Sequence, residues 1–292
     1  MAEPAASNRP LPHVTDRATW QARIDELRIK EKAHTRAGDA LAAERRRLPV
    51  VEVDATTKLI GADGPVPLID VFEGRSQLIA YFHMWHTGRP AAEQCEGCTF
   101  NTSHVNELSY LHSRDVSYAV FCQGPYEEAS RYRNFMAYTV PWYSVPQDSV
   151  HRLIADRYFG ILACYLGDGD RVYETYWTSG RGDEVMAPSY GLLDRTIYGR
   201  QEIWEDSPEG WPQRWSSKGG QFRLDGRPTA SGHGSGLGAT TTSAQCRPAG
   251  RCASAATTNR PSVLANEATE ITRYLAISPI SETARDRHVR LA

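Results

Sequence analysis

Two cysteines three residues apart, in Cys95-Glu96-Gly97-Cys98, are the residues of this chain best suited to chemistry. Thiols at that spacing across the first turn of a helix lie within reach of each other and can close a disulfide. The thiolate rather than the thiol attacks, and a free cysteine has a pKa of about 8.5. A helix N-terminus favours the thiolate by about 0.3–1 kcal/mol when exposed and by up to ~2 kcal/mol when partly buried. At about 1.36 kcal/mol per pH unit, that lowers a thiol pKa by at most about 1.5. Glu96 works the other way, because a neighbouring carboxylate disfavours a second negative charge. The expectation is therefore a moderate thiol, with the two influences largely cancelling and a reducing poise. The chemistry is thiol–disulfide exchange, with Cys95 attacking and Cys98, one turn in, shielded and resolving. Its only redox group is the cysteine pair itself, as a redox-active disulfide.

A second chemistry competes for the same residues. His83 and His86 precede the cysteines in a His-x-x-His…Cys-x-x-Cys pattern, and two imidazoles with two thiolates can hold a tetrahedral zinc ion. The alternative metal set is thus His83, His86, Cys95 and Cys98, and the reading preferred here assigns no metal. His86 and His104 are also candidates for tuning a thiol. Cys122 and Cys164 fall at or inside strands and read as small buried hydrophobes. Trp85 and Trp142 are candidates either for lining the approach to the dithiol or for packing. No phosphate-binding loop, dinucleotide fingerprint or nucleophile elbow is present in the chain.

The elements that must position the pair follow from hydrophobic periodicity. Residues 1–13 are rich in Pro and Ala and read as a disordered leader. A helix is expected over 14–48, capped by Thr15, with Trp20, Ile24, Leu27, Leu41 and Leu48 on one stripe and Pro49 as its stop. From Val50 the pattern changes to short strands. Pro65-Val66-Pro67 suits only an edge strand or a connection. Gln77 to Phe82 is apolar enough for the middle of a sheet. A helix from about Cys98, carrying Val105, Leu108 and Leu111, leads to a strand over 116–121. A helix over 127–138, an extended piece at 140–143 and a helix over 149–158 come next. Gly167-Asp168-Gly169-Asp170 between two apolar runs is the strongest hairpin signal. A last helix is expected over 189–198. Strand, polar loop, Cys-x-x-Cys and helix in that order is the arrangement of thioredoxin-like dithiol proteins. The fold class is accordingly α/β, a central mixed sheet with flanking helices over residues 49–229. The stretch 230–292 has few aromatics and no periodicity and reads as a low-complexity, disordered tail.

Composition narrows the classes. The chain has 292 residues, 40% of them hydrophobic, and a formal net charge of −2. That supplies a core and argues against nucleic acid as a partner. No apolar run is long enough for a bilayer. A basic and apolar leader is missing at the N-terminus, so the expected setting is cytoplasmic, with the remaining cysteines reduced.

Several longer strings carry a family resemblance. Gly61-Ala62-Asp63-Gly64, Leu68 to Arg75, the Tyr81-Phe82 strand end, Val140-Pro141-Trp142 and Ala155 to Ile161 resemble the peroxiredoxin-like branch of the thioredoxin superfamily. More closely, Ala40 to Pro49, Gly74 to Ile79, Cys95 to Phe100, Arg114-Asp115-Val116 and Leu192-Leu193-Asp194 resemble the bacterial family catalogued as domain of unknown function 899. Its members are described as predicted dithiol-disulfide oxidoreductases. The resemblance implies the fold and a dithiol activity. It departs from peroxiredoxins in having Ala92 where they carry Thr, which argues against efficient peroxide reduction. It departs from thioredoxins in having Gln94 before Cys95 and no proline in Gly160-Ile161-Leu162-Ala163, where they carry a cis-Pro. Partners expected on this reading are protein or small-molecule disulfides and thiols, with a second copy docking through the N-terminal helix. The alternative is a thioredoxin-fold binding or assembly module without catalysis.

Overall fold

The structure, a computed structural model, describes residues 10–213. The expected tail over 230–292 and residues 1–9 of the expected leader lie outside the described residues. Helix α1 (Arg17–Arg45) is capped by Asp16, one residue past the expected Thr15, and the Asp16 carboxylate accepts the Thr19 N–H at 2.9 Å. A carboxylate at this position satisfies a donor that the helix itself cannot. None of the α1 side chains is buried, and Trp20 stays 44% exposed. At its end Arg45 lies over the Tyr176 ring.

The sheet has eight strands: β1 (Val51–Val53), β2 (Lys58–Gly61), β3 (Gly64–Pro67), β4 (Gln77–His83), β5 (Val116–Cys122), β6 (Trp142–Ser144), β7 (Ile161–Asp168) and β8 (Arg171–Ser179). Their spatial order is β1-β8-β7-β4-β5-β6-β2-β3. The proline-bearing β3 takes the edge, where a missing N–H removes no ladder bond. Central β4 runs parallel to β5 and antiparallel to β7, and β7 and β8 form the hairpin. Its two-residue turn is Gly169-Asp170, with Gly169 at φ +62°. A strand order of β8-β7-β4-β5 with helices between the parallel pair is the thioredoxin-like arrangement, and this chain adds strands on both sides of it.

Side chains alternate across β4 and β5 and so build two cores, one on each face. Leu78, Ala80, Phe82, Ala119 and Phe121 pack with Leu153 and Ile154 of the helix over Gln147–Ile154 and with the 3-10 turn Leu68–Phe72. Tyr81, Tyr118, Val120 and Cys122 pack on the other face with Cys98, Ala129 and Tyr132. Cys98 belongs to α2 (Glu96–Ser103), which a turn separates from α3 (Ser109–His112), and Ala129 and Tyr132 belong to α4 (Tyr126–Phe135). In chain order the Gln147–Ile154 helix is α5, and α6 spans Pro188–Leu193.

Two expectations need correction. The helix expected to run on from Cys98 to Leu111 is two short ones. Thr99, Ser103 and His104 hydrogen-bond back to carbonyls four residues earlier, which competes with helix propagation. The last helix is shorter than expected, and a 3-10 turn over Gly180–Met186 precedes it. Among the described residues no helix is long and apolar enough to cross a membrane.

Candidate functional site

The C-terminal end of β4 delivers the chain into a loop over residues 84–94 that must bring Cys95 back to the sheet. Gln94 closes it. This buried amide accepts the His86 N–H at 2.9 Å and donates to the carbonyls of His86 and Arg89, both at 3.0 Å. Glu128 of α4 ties down the other half, accepting from Trp85 Nε1 and from the Gly88 N–H, each at 3.1 Å. The Trp85 ring lies against Gly124, where an added Cβ would sit 2.0 Å from it, so that position has room only for glycine.

Cys95 is the N-cap residue of α2, and its carbonyl accepts from Thr99 N at 3.0 Å and Thr99 Oγ1 at 2.9 Å. Tyrosines anchor the rest of the helix. Tyr132 OH meets Thr99 Oγ1 at 2.6 Å, Tyr138 OH meets Ser103 Oγ at 2.9 Å, and Asn101 donates to Tyr81 OH at 3.3 Å. Cys98 is 3% exposed and accepts the Met84 N–H at 3.3 Å. Cys95 is half-buried.

The two thiols differ sharply in acidity. The Cys98 thiol donates to Cys95 Sγ, and with the N–H groups of Cys98 and Gly97 and the charge of His86 it outweighs burial, bringing Cys95 down to about 6. The same hydrogen bond, together with burial and the Cys95 charge, raises Cys98 well above an ordinary thiol, although Tyr81 and the Met84 N–H pull the other way. The expected cancellation against Glu96 is therefore corrected. The second thiol, as a hydrogen-bond donor, supplies what the helix end and one carboxylate do not.

Of the four residues in the alternative metal set, the two cysteines stand one turn apart at the start of α2, and His86 acts on Cys95 through its charge. The His83 ring is wholly buried among Tyr81, Tyr132 and Trp142, and its Nδ1 faces the Met84 carbonyl at 2.8 Å. Burial holds it neutral, with a pKa of about 4. Among the described residues no group of three or more His, Cys, Asp or Glu side chains is placed to hold a metal ion. His104 bridges α2 and α6 instead of meeting a thiol, with its ring nitrogens at 2.7 Å from the Phe100 carbonyl and from Ser189 Oγ. Trp85 and Trp142 are core residues, and neither lines the cavity beside the cysteines. Burial raises Cys122 to about 12 and Cys164 to about 11, leaving both inert as nucleophiles near neutral pH.

Tyr81, Gln94 and Asp183 are the parts of the site that sequence reasoning missed. Tyr81 was legible in outline, since strand alternation puts it on the same face as the dithiol helix. Gln94 and Asp183 sit in irregular segments that carry no periodic signal. Asp183, in the 3-10 turn after β8, is buried beside the cysteines, and burial lifts its carboxyl to about 7.

A family model described as "Bacterial protein of unknown function (DUF899)" matches residues 9–219. The crystal structure of a thioredoxin from Wuchereria bancrofti is similar over 49% of this chain and 95% of that one, at 16% identity and a TM-score of 0.31. No curated protein matches the chain at a significant level.

Proposed function

The chain belongs to the DUF899 family, and we propose that it acts as a thiol–disulfide oxidoreductase, with Cys95 as the attacking and Cys98 as the resolving thiol. The observation that carries this reading is the asymmetry of the pair. A half-buried thiol at a helix start is brought down to about 6, and a buried thiol one turn in is its hydrogen-bond donor. Acidity below that of an ordinary thiol raises the share of thiolate near neutral pH, and the thiolate is the form that attacks a disulfide.

The chemistry balances without a further group. The Cys95 thiolate attacks one sulfur of a disulfide, a Cys95–sulfur bond forms, and the partner's S–S bond breaks to release one thiolate. Cys98 then gives its proton to the released thiolate and attacks Cys95 Sγ. A Cys95–Cys98 disulfide forms and the second partner thiolate leaves. Two electrons pass from the dithiol to the partner, and an external thiol reductant restores the pair.

Insulin-disulfide reduction, driven by dithiothreitol, tests the reading. Wild-type protein should accelerate it well above the reductant alone, and Cys95→Ser should abolish the acceleration. Equal rates for wild type and Cys95→Ser, both here and with small disulfides, would leave the binding-module alternative standing.

A further inference from the structure

A cavity of about 690 Å³ opens beside the dithiol, with Cys95 and Cys98 in its wall and aromatic surface from Phe100, Tyr190 and Trp204. That volume suits a small molecule and would enclose most of it. Most of the charge around it is already committed. Arg200 makes a bidentate pair with Asp194, at 2.6 and 2.7 Å, and holds Glu184 at 2.9 Å. Arg181 also holds Glu184, at 3.0 Å, and lies over the Trp204 ring.

Asp183 is different. It is 3% exposed, yet it lines the cavity and its Oδ1 has no hydrogen-bond partner among the described residues. Its carboxyl is lifted by burial and opposed only by the Leu162 N–H, so no cation among the described residues stands against it. A buried carboxylate oxygen left this way calls for a donor, and a charged donor fits best. The position is close to the chemistry, because Asp183 acts electrostatically on Tyr81, whose hydroxyl donates to Cys98. Gly160 lines the same cavity, and its N–H is taken by the Phe82 carbonyl at 2.6 Å. The backbone at that point offers no donor to an extended peptide.

We propose that this cavity receives a low-molecular-weight disulfide carrying an ammonium group, with the ammonium on Asp183 and a disulfide sulfur presented to Cys95. The inference rests on the redox reading above and adds its substrate class. The exchange is the one already balanced: the small disulfide gains two electrons and leaves as two thiols, and the cysteine pair leaves as a disulfide.

The test uses full-length, prereduced protein freed of reductant and three disulfides: cystamine, bis(2-hydroxyethyl) disulfide and dithiodiglycolate. Oxidation of the pair is followed by rapid quench and mass, and each rate is divided by the rate of the same disulfide with dithiothreitol. Cystamine should react at least about tenfold faster than the neutral disulfide on that scale, with the dianion slowest, as one charge-assisted hydrogen bond predicts. In Asp183→Asn the cystamine preference should fall to about twofold or less. Equal normalised rates in wild type, or a preference that survives Asp183→Asn, would overturn the inference while leaving the redox reading intact. The same holds if insulin is reduced and none of the three disulfides reacts. Should neither insulin nor any small disulfide react, both readings fall. Equal normalised rates in the wild-type series overturn the inference even if the variant does not fold.

Discussion

Replacing Cys98 with Ala removes the largest influence on Cys95 and leaves the helix N-terminus in place. A hydrogen bond to a charged group is worth about 1.5–3 kcal/mol. At about 1.36 kcal/mol per pH unit, its loss should lift Cys95 from about 6 to roughly 7–8. Cys98→Ser keeps a hydroxyl donor at the same place and should fall between Ala and wild type. The rate at a single pH would mislead. For a midpoint near 7.5, the thiolate fraction at pH 7 drops roughly fourfold, but intrinsic nucleophilicity rises about four- to sixfold at a Brønsted slope of about 0.4–0.5. The two nearly cancel.

The informative measurement is therefore the whole pH profile of iodoacetamide alkylation from about pH 4.5 to 9.5, with the modified residue identified by mass. Cys122 and Cys164 stay silent over most of that range because burial raises them to about 12 and 11. Wild type should show a midpoint near 6, and Cys98→Ala a later midpoint with a plateau several-fold higher. A Cys98→Ala midpoint still near 6 would mean that the helix end, rather than the second thiol, sets the acidity. A wild-type midpoint above 8 would refute the electrostatic argument altogether.

Three further outcomes follow from the supports around the pair. Gly124→Ala puts a Cβ against the Trp85 ring and should cost about 1–3 kcal/mol by overpacking, visible as a lower Tm and a shifted tryptophan emission. Gln94→Ala removes three hydrogen bonds that close the loop over residues 84–94; amide exchange there should speed up by about tenfold or more while the strands β4 and β5 stay protected. Asp183 is raised from 3.8 to about 7, so the folded state binds the extra proton between those values. Its stabilising contribution is complete below about pH 4 and is lost as pH rises through 7, a fall of at most about 4 kcal/mol. Urea titrations at pH 5 and 8 should show a smaller difference between the two pH values for Asp183→Asn than for wild type.

How much could be read from the chain depended on periodicity. Gln77 to Phe82 is apolar enough for the middle of the sheet, where β4 lies; two prolines left Gly64–Pro67 an edge strand or a connection, and it is the edge; and the hairpin signal at Gly167 to Asp170 turns at Gly169-Asp170. The cysteine pair at a helix start was legible for the same reason, since it lies between a strand pattern and a helix pattern. Residues 84–94 and 180–186 were not. Their conformations come from single side chains that meet distant partners, such as Glu128 with Trp85 and Arg200 with Glu184. Nothing in local sequence announces such pairings. The break between α2 and α3 lay within reach, because Thr99, Asn101, Thr102 and Ser103 are poor helix formers, but the apolar spacing of Val105, Leu108 and Leu111 is that of one continuous helix.

The acidity of the pair also carries an ordering argument for the proposed reaction. Two of the three influences that raise Cys98 come from Cys95: the hydrogen bond Cys98 donates and the charge it faces. Both require Cys95 to be a thiolate. Once Cys95 is joined to a partner's sulfur it carries no charge and accepts weakly, so those two influences vanish together. What remains on Cys98 is burial, set against the Tyr81 hydroxyl and the Met84 N–H, which both favour the thiolate. The resolving thiol is thus held protonated while the attacking one waits, and becomes easier to ionise as soon as the mixed disulfide exists. One hydrogen bond between two sulfurs primes the first step and restrains the second until it is needed. That is why the buried position of Cys98, which by itself would only make a thiol inert, is compatible with a resolving role in this fold.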